Sequence, residues 1–232
     1  MSLWQLMKLH YVYLFSKKNI IAIIICLVIA LGFNLYSWLE NDSLALPSIQ
    51  VIELSWQTIF TFDKLIIHTI AIFIMGNFCL LENDQYYCLF IFRKVTKNRF
   101  FIVKMLVLTL MVIATILILF LLFVMSGYLL NHHFILKIMY VKGFLYCLLS
   151  ALTFGFFTII LVKIFPTVMS IIIGLIAFLA SDLFEENVLM STIFPVVTID
   201  SLKNTSAISF VLSIIVLFFY LFIAIIANFT KK

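Results

Sequence analysis

The sequence predicts an all-α integral membrane protein, and three observations predict it. Of 232 residues, 66% are hydrophobic and only 11% charged, which leaves too little polar surface to cover a water-soluble core. Six apolar stretches are each long enough for a bilayer, because about 20 helical residues cover a hydrocarbon layer of roughly 30 Å. Those stretches are continuous and lack period-two alternation, which argues against a β-barrel.

The spans fall at 19–39, 64–81, 105–130, 144–165, 167–184 and 208–229, and the whole chain, 1–232, reads as one transmembrane domain. Ahead of them, Trp4, Leu6, Met7, Tyr11, Leu14 and Phe15 alternate with Gln5, Lys8 and His10. That mixture is too polar to cross and predicts a helix lying in the membrane interface. The first span carries Ala22, Cys26 and Ala30 four apart, a stripe that lets helix backbones approach closely in lipid. Residues 40–63 contain Pro47 and several polar side chains and predict an irregular or briefly helical loop.

Within the second span, His68 and Asn77 stand out, since an unpartnered polar group in hydrocarbon is costly. A hydrogen bond between helices is the ordinary explanation, and a place on a transport pathway is the functional one. After this span the chain is acidic at Glu82 and Asp84, apolar in the middle, and basic at Arg93, Lys94, Lys97, Arg99 and Lys104. The pattern predicts a short helix across the membrane face and a turn into the third span.

Spans four and five are joined by almost nothing, with Lys163 placed to snorkel and Pro166 to start the next helix, so they form a tight antiparallel hairpin. The fifth span has its own small-residue stripe, Ser170, Gly174, Ala177 and Ser181. Contact within the subunit and contact with another subunit are equally open for both stripes. Between 182 and 207, the apolar run 188–194 is too short to cross and is followed by Pro195, which predicts a re-entrant or interfacial hairpin before the last span.

Charge orients the chain. With both termini cytoplasmic, Lys8, Lys17, Lys18, Arg93, Lys94, Lys97, Arg99, Lys104, Lys163, Lys231 and Lys232 are inside, leaving Lys64, Lys137, Lys142 and Lys203 outside. The net charge of +5 thus follows membrane topology and makes no nucleic-acid patch.

Several chemistries fail on spacing. Cys26, Cys79, Cys88 and Cys147 have no zinc-ligand spacing and read as small packing residues. The adjacent His132 and His133 lack a third ligand at a helpful distance along the chain. Glu185 and Glu186 are similar to the paired glutamates of intramembrane CAAX-type proteases, but Met190 stands where that family has an arginine. None of the six glycines precedes Lys-Ser or Lys-Thr, so the chain has no phosphate-cradling loop and any ATP hydrolysis belongs to another polypeptide. Every carboxylate can be placed at a span end or in a loop, which counts against ion-coupled transport.

The sum of these features resembles the membrane subunit of type-2 ABC exporters. The resemblance covers nearly the whole chain as architecture: an interfacial N-terminal helix, a cytoplasmic helix after span two, a minimal link between spans four and five, and a re-entrant outer segment. Its local match is Glu82 closing span two, then Arg93, Lys94 and Arg99, then Lys104 opening span three; where members carry a glycine a few residues after the acid, this chain has Tyr86 and Tyr87.

The resemblance implies a permease subunit in a bacterial cytoplasmic membrane, working with a separate pair of ABC ATPase subunits that bind ATP and Mg. It further implies a second permease subunit of the same or a different chain. Glu82, Tyr86, Tyr87, Arg93, Lys94 and Arg99 would contact the ATPase, and the two small-residue stripes would form the subunit interface. No cofactor, metal or catalytic residue is expected in this chain. The heavy aromatic content, including 26 phenylalanines, suits a hydrophobic or amphipathic cargo such as a peptide or toxin. Two other readings stay open: an immunity or regulatory membrane protein that binds a partner without transport, and a membrane enzyme with an unfamiliar site.

Overall fold

The computed structural model describes residues 4–8, 17–42, 48–79, 96–130, 134–183, 193–194 and 207–230, and every regular element among them is helical. Six long helices follow in chain order: α1 (Lys17–Asp42), α2 (Ser48–Cys79), α3 (Lys97–Leu130), α4 (Ile138–Val162), α5 (Thr167–Leu183) and α6 (Ala207–Thr230). Helix is the state that satisfies every backbone donor and acceptor within the segment, as an apolar surrounding demands. Five of these helices, α1, α2, α3, α4 and α6, are long and apolar enough to cross a membrane. The sixth, α5, is apolar but has 17 residues, about 25 Å at helical rise, against the roughly 30 Å of a hydrocarbon core.

The helix starts depart from expectation in an instructive way. Most of 40–63, expected to be loop, belongs to α2, which begins at Ser48. Val51, Ile52, Ser55, Trp56, Ile59, Phe60 and Asp63 recur at helical spacing and are all buried, while Leu54, Thr58 and Thr61 are exposed; the amphipathic pattern extends the helix although Gln50, Glu53 and Gln57 interrupt a purely apolar run. Similarly, α3 begins at Lys97 and not at 105. Thr96 caps it, its Oγ1 accepting the Arg99 amide N–H at 3.4 Å while its carbonyl accepts that of Phe100 at 3.0 Å.

α2 and α4 form the centre. α2 is packed by α1, α3, α4 and α5, while α6 docks chiefly on α4. The expected hairpin is present: Ile164 and Phe165 amides bond back to the Leu161 carbonyl at 2.9 and 2.8 Å, and Pro166 supplies the carbonyl that starts α5 through Ser170. Only 17% of the apolar stretch of α6 and 22% of that of α1 is buried inside the chain. Their outward faces, with Ile21, Ile25 and Val28 on α1 and Leu212, Ile215, Phe219 and Phe222 on α6, are surface that water would not tolerate and lipid solvates.

Opposite ends of the bundle are built differently. At one, Trp38, Trp56, Phe123, Phe134, Tyr140 and Phe144 interlock with ring centroids 4.6–6.2 Å apart, and the Trp38 indole donates to the Ser126 hydroxyl at 3.1 Å. At the other, Lys163 of the hairpin link lies 5.8 Å from the ring centroid of Phe101 near the start of α3. Phe194, in the segment before α6, stacks on Phe154 at 5.0 Å and contacts Phe157 and Tyr220, so this point of the connection is seated between α4 and α6.

Candidate functional site

α2 carries three polar side chains into the bundle at almost one level: Asp63, Lys64 and His68. Consecutive helical residues point about 100° apart, so Asp63 and Lys64 face different neighbours. Lys64 Nζ pairs with the Asp182 carboxylate at the end of α5, and Lys64 is nearly buried while Asp182 is one-third exposed. This ion pair ties α2 to α5 across 118 residues of sequence.

His68 lies one turn beyond and is fully buried. Its Nδ1 lies 2.7 Å from the Lys64 carbonyl, which can only accept, so Nδ1 carries the proton and donates. In the neutral ring Nε2 then accepts from the Ser150 hydroxyl of α4 at 2.8 Å. The ring stacks on Phe178 of α5 at 4.2 Å and meets Phe154 edge-on at 5.6 Å. Both nitrogens and one ring face are thus occupied, with Phe154 set edge-on to the ring. The interhelical hydrogen bond, the ordinary one of the two explanations for this histidine, is what the geometry contains.

Asp63 turns toward α1, where Asn34 faces it. Both residues are fully buried, and neither the two carboxyl oxygens nor the two amide atoms complete a hydrogen bond of ordinary length and angle. The Ser37 hydroxyl, three residues along α1, is in the same condition. Cys147 of α4, a buried thiol, lies within electrostatic reach of Asp63, Lys64 and Asp182. The expectation that every carboxylate sits at a span end or in a loop therefore fails at Asp63, which is the sixteenth residue of a 32-residue helix. The failure has the same origin as the late start assigned to span two.

Small-residue stripes behave differently in the two helices. Ser170, Gly174 and Ser181 of α5 are buried inside the chain, and a Cβ built on Gly174 would lie 2.6 Å from Thr158 Oγ1 of α4 and 3.2 Å from Ile72 of α2. Three of the four residues expected at a subunit interface on α5 thus serve contact within this chain, because helix backbones can pack this closely only over a missing side chain. Ala177 is half-buried against Phe178 and its neighbours. On α1, Ala30 is fully buried and Cys26 half-buried, while the Ala22 side chain lies outside the described residues.

The expected ATPase-contact residues Glu82, Tyr86, Tyr87, Arg93 and Lys94 lie outside the described residues, as does the Asn77 side chain. Arg99 is described and exposed, on the first turn of α3. Among the described residues, no group of three or more His, Cys, Asp and Glu could hold a metal ion. A half-open apolar cavity of about 640 Å³ lies between residues 4–8, α1 and α3, lined by Trp4, Met7, Ile23 and Met111 with Lys8 among them. Sequence reasoning named His68 but missed the Lys64–Asp182 pair and the Asp63–Asn34 contact. The available signal was the adjacency of Asp63, Lys64 and His68 within an otherwise apolar window.

Compared by sequence, no protein-family model and no curated protein matches this chain.

Proposed function

We propose that this chain is the permease subunit of an ATP-driven exporter built like the type-2 ABC exporters, with α5 serving as a sixth crossing, both termini cytoplasmic and the segment between α5 and α6 re-entrant from the outer side. One observation carries the reading. The start of α3 and the link between α4 and α5 meet at the same end of the bundle, through Lys163 and Phe101.

A partner seated against 82–99 would therefore push on the first turn of a 34-residue helix, about 51 Å long, and on the hairpin together. Such a rigid lever passes motion from a cytoplasmic ATPase into the spans. The exposed, cationic Arg99 at its tip supports docking on a complementary surface. ATP and Mg would be bound by the separate ATPase pair, and the lipid-exposed faces of α1 and α6 leave room for a second permease subunit. A hydrophobic or amphipathic cargo, peptide or toxin, suits walls this rich in phenylalanine.

The test is co-purification of the detergent-solubilised chain with the products of neighbouring genes, with an ATPase assay on the complex. Arg93→Glu with Arg99→Glu is expected to abolish ATPase association while the chain remains inserted. Association unchanged by both reversals, or a chain that emerges intact and alone in several mild detergents, overturns the proposal in favour of a partner-binding or enzymatic membrane protein.

A further inference from the structure

A buried carboxyl group needs either donors or neutralisation. Taking an ionised carboxylate out of water costs several kcal/mol even after relaxation, and a nearby cation repays this only when it is hydrogen-bonded in place. Asp63 is fully buried, and the cation next to it in sequence, Lys64, is committed to Asp182.

Every packed element can be checked for a counter-charge. On α2 itself the nearby titratable groups are Lys64 and His68, the latter engaged at both ring nitrogens. From α4 comes the Cys147 thiol, and from α5 comes Asp182, an acid already paired. α3 has no titratable side chain between Lys104 and Tyr128. α1 presents Asn34, which is neutral.

We propose that the Asp63 carboxyl group and the Asn34 amide form a proton-binding site inside the bundle, with the proton held on Asp63. A protonated carboxyl and a primary amide are complementary partners: the acid O–H donates to the amide oxygen, and the amide N–H donates to the acid carbonyl. An ionised carboxylate can use only the N–H half of that pair and leaves the amide oxygen facing negative charge. The two amide atoms of Asn34 and the two oxygens of Asp63, all buried and without a well-formed hydrogen bond, are the donors and acceptors that such an acid–amide pair uses, with the added proton supplying the donor the carboxylate lacks. The Ser37 hydroxyl, in the same condition three residues along α1, supplies a further oxygen about one helical turn from Asn34. A single carboxylate with neutral oxygens suits a singly charged ligand; a divalent ion would call for more oxygen ligands and more negative charge.

The site has a conformational consequence. Loss of the proton would remove the acid's donor and turn the Asn34 carbonyl away, so the contact between α1 and α2 differs between the two states. This inference does not depend on the exporter reading, and its test needs no ATPase partner.

The experiment is infrared difference spectroscopy on the purified full chain in lipid nanodiscs, comparing wild type with Asp63→Asn, a neutral isostere. The expected result is the carbonyl band of a protonated carboxylic acid in the wild type near neutral pH, lost in Asp63→Asn. A second variant, Asn34→Ala, is expected to shift that band without abolishing it, which covers the case in which Asp63→Asn inserts poorly. Identical spectra for wild type and Asp63→Asn overturn the proposal. So does a wild-type band that disappears when sodium is added at constant pH, which would assign the site to a metal cation in place of the proton.

Discussion

Replacing Gly174 by alanine tests whether the α5 stripe is an internal seam. The added Cβ would lie 2.6 Å from Thr158 Oγ1, closer than any ordinary contact, and 3.2 Å from Ile72 Cγ2. Thr158 cannot step aside freely, because its hydroxyl donates to the Phe154 carbonyl at 2.8 Å and the residue is fully buried. Displacing it forfeits a bond of about 1 kcal/mol, and overpacking a close-packed seam costs about 1–3 kcal/mol. The better helix propensity of alanine returns at most about 1 kcal/mol. The net expectation is a loss of about 1–3 kcal/mol, read as reduced stability of the detergent-solubilised monomer in a denaturant titration.

Thr158→Ala in the same chain removes the clashing atom, so the double variant is expected to recover most of that loss, with a coupling energy of about 1–2 kcal/mol. If Gly174→Ala leaves monomer stability unchanged and alters only the oligomeric mass, or if its cost is the same with Thr158→Ala, the stripe faces another subunit and the reasoning is wrong.

The Lys64–Asp182 pair should respond asymmetrically. Asp182→Asn strands a nearly buried ammonium and is expected to cost on the order of 3 kcal/mol, whereas Lys64→Met leaves a carboxylate that is one-third exposed and should cost about 1 kcal/mol. Equal costs in a denaturant titration would show that burial does not set the penalty. For His68, solid-state NMR of labelled imidazole is expected to find the Nδ1-protonated tautomer, and Ser150→Ala should cost about 1 kcal/mol by removing the donor to Nε2; an Nε2-protonated ring would contradict the assigned bonds. Gly143→Leu meets the Trp56 and Phe60 rings, each 3.0 Å from a first added carbon, and should cost about 1–3 kcal/mol or more with a shifted tryptophan emission. Unchanged emission would mean that the aromatic cluster yields easily.

Sequence patterning revealed the helices well and their ends poorly, for a physical reason visible in α2 and α3. Counting apolar residues finds the length that lipid requires, but a helix continues as long as one face stays buried. From Ser48 to Asp63 that face is Val51, Ile52, Ser55, Trp56, Ile59 and Phe60, and it is invisible to a window that sums hydropathy over all sides. The hairpin at Lys163 and Pro166 was legible because proline acts locally. His68 could be singled out because one polar residue interrupts an apolar run, yet its partner Ser150 lies 82 residues away and no local pattern names it. The stripe on α5 was legible as a close contact but not in its direction, since small residues serve internal and external seams alike.

The early start of α2 and the shortness of α5 are connected. Along α5, Ile171 meets Gly76, Gly174 meets Ile72, Phe178 meets His68 and Asp182 meets Lys64, so this helix covers α2 only from its C-terminal end to its middle. Above that level α2 continues for sixteen residues, Ser48 to Asp63, against α1, α3 and α4. The Lys64–Asp182 pair therefore stands where helix α5 ends. Asp63 is its immediate neighbour in sequence but is fully buried and faces Asn34. Asp182, near the end of α5, is paired with Lys64 and one-third exposed. An acid buried one position away must be neutralised inside the protein, and this difference in position makes Asp63 and not Asp182 the group on which a proton would act.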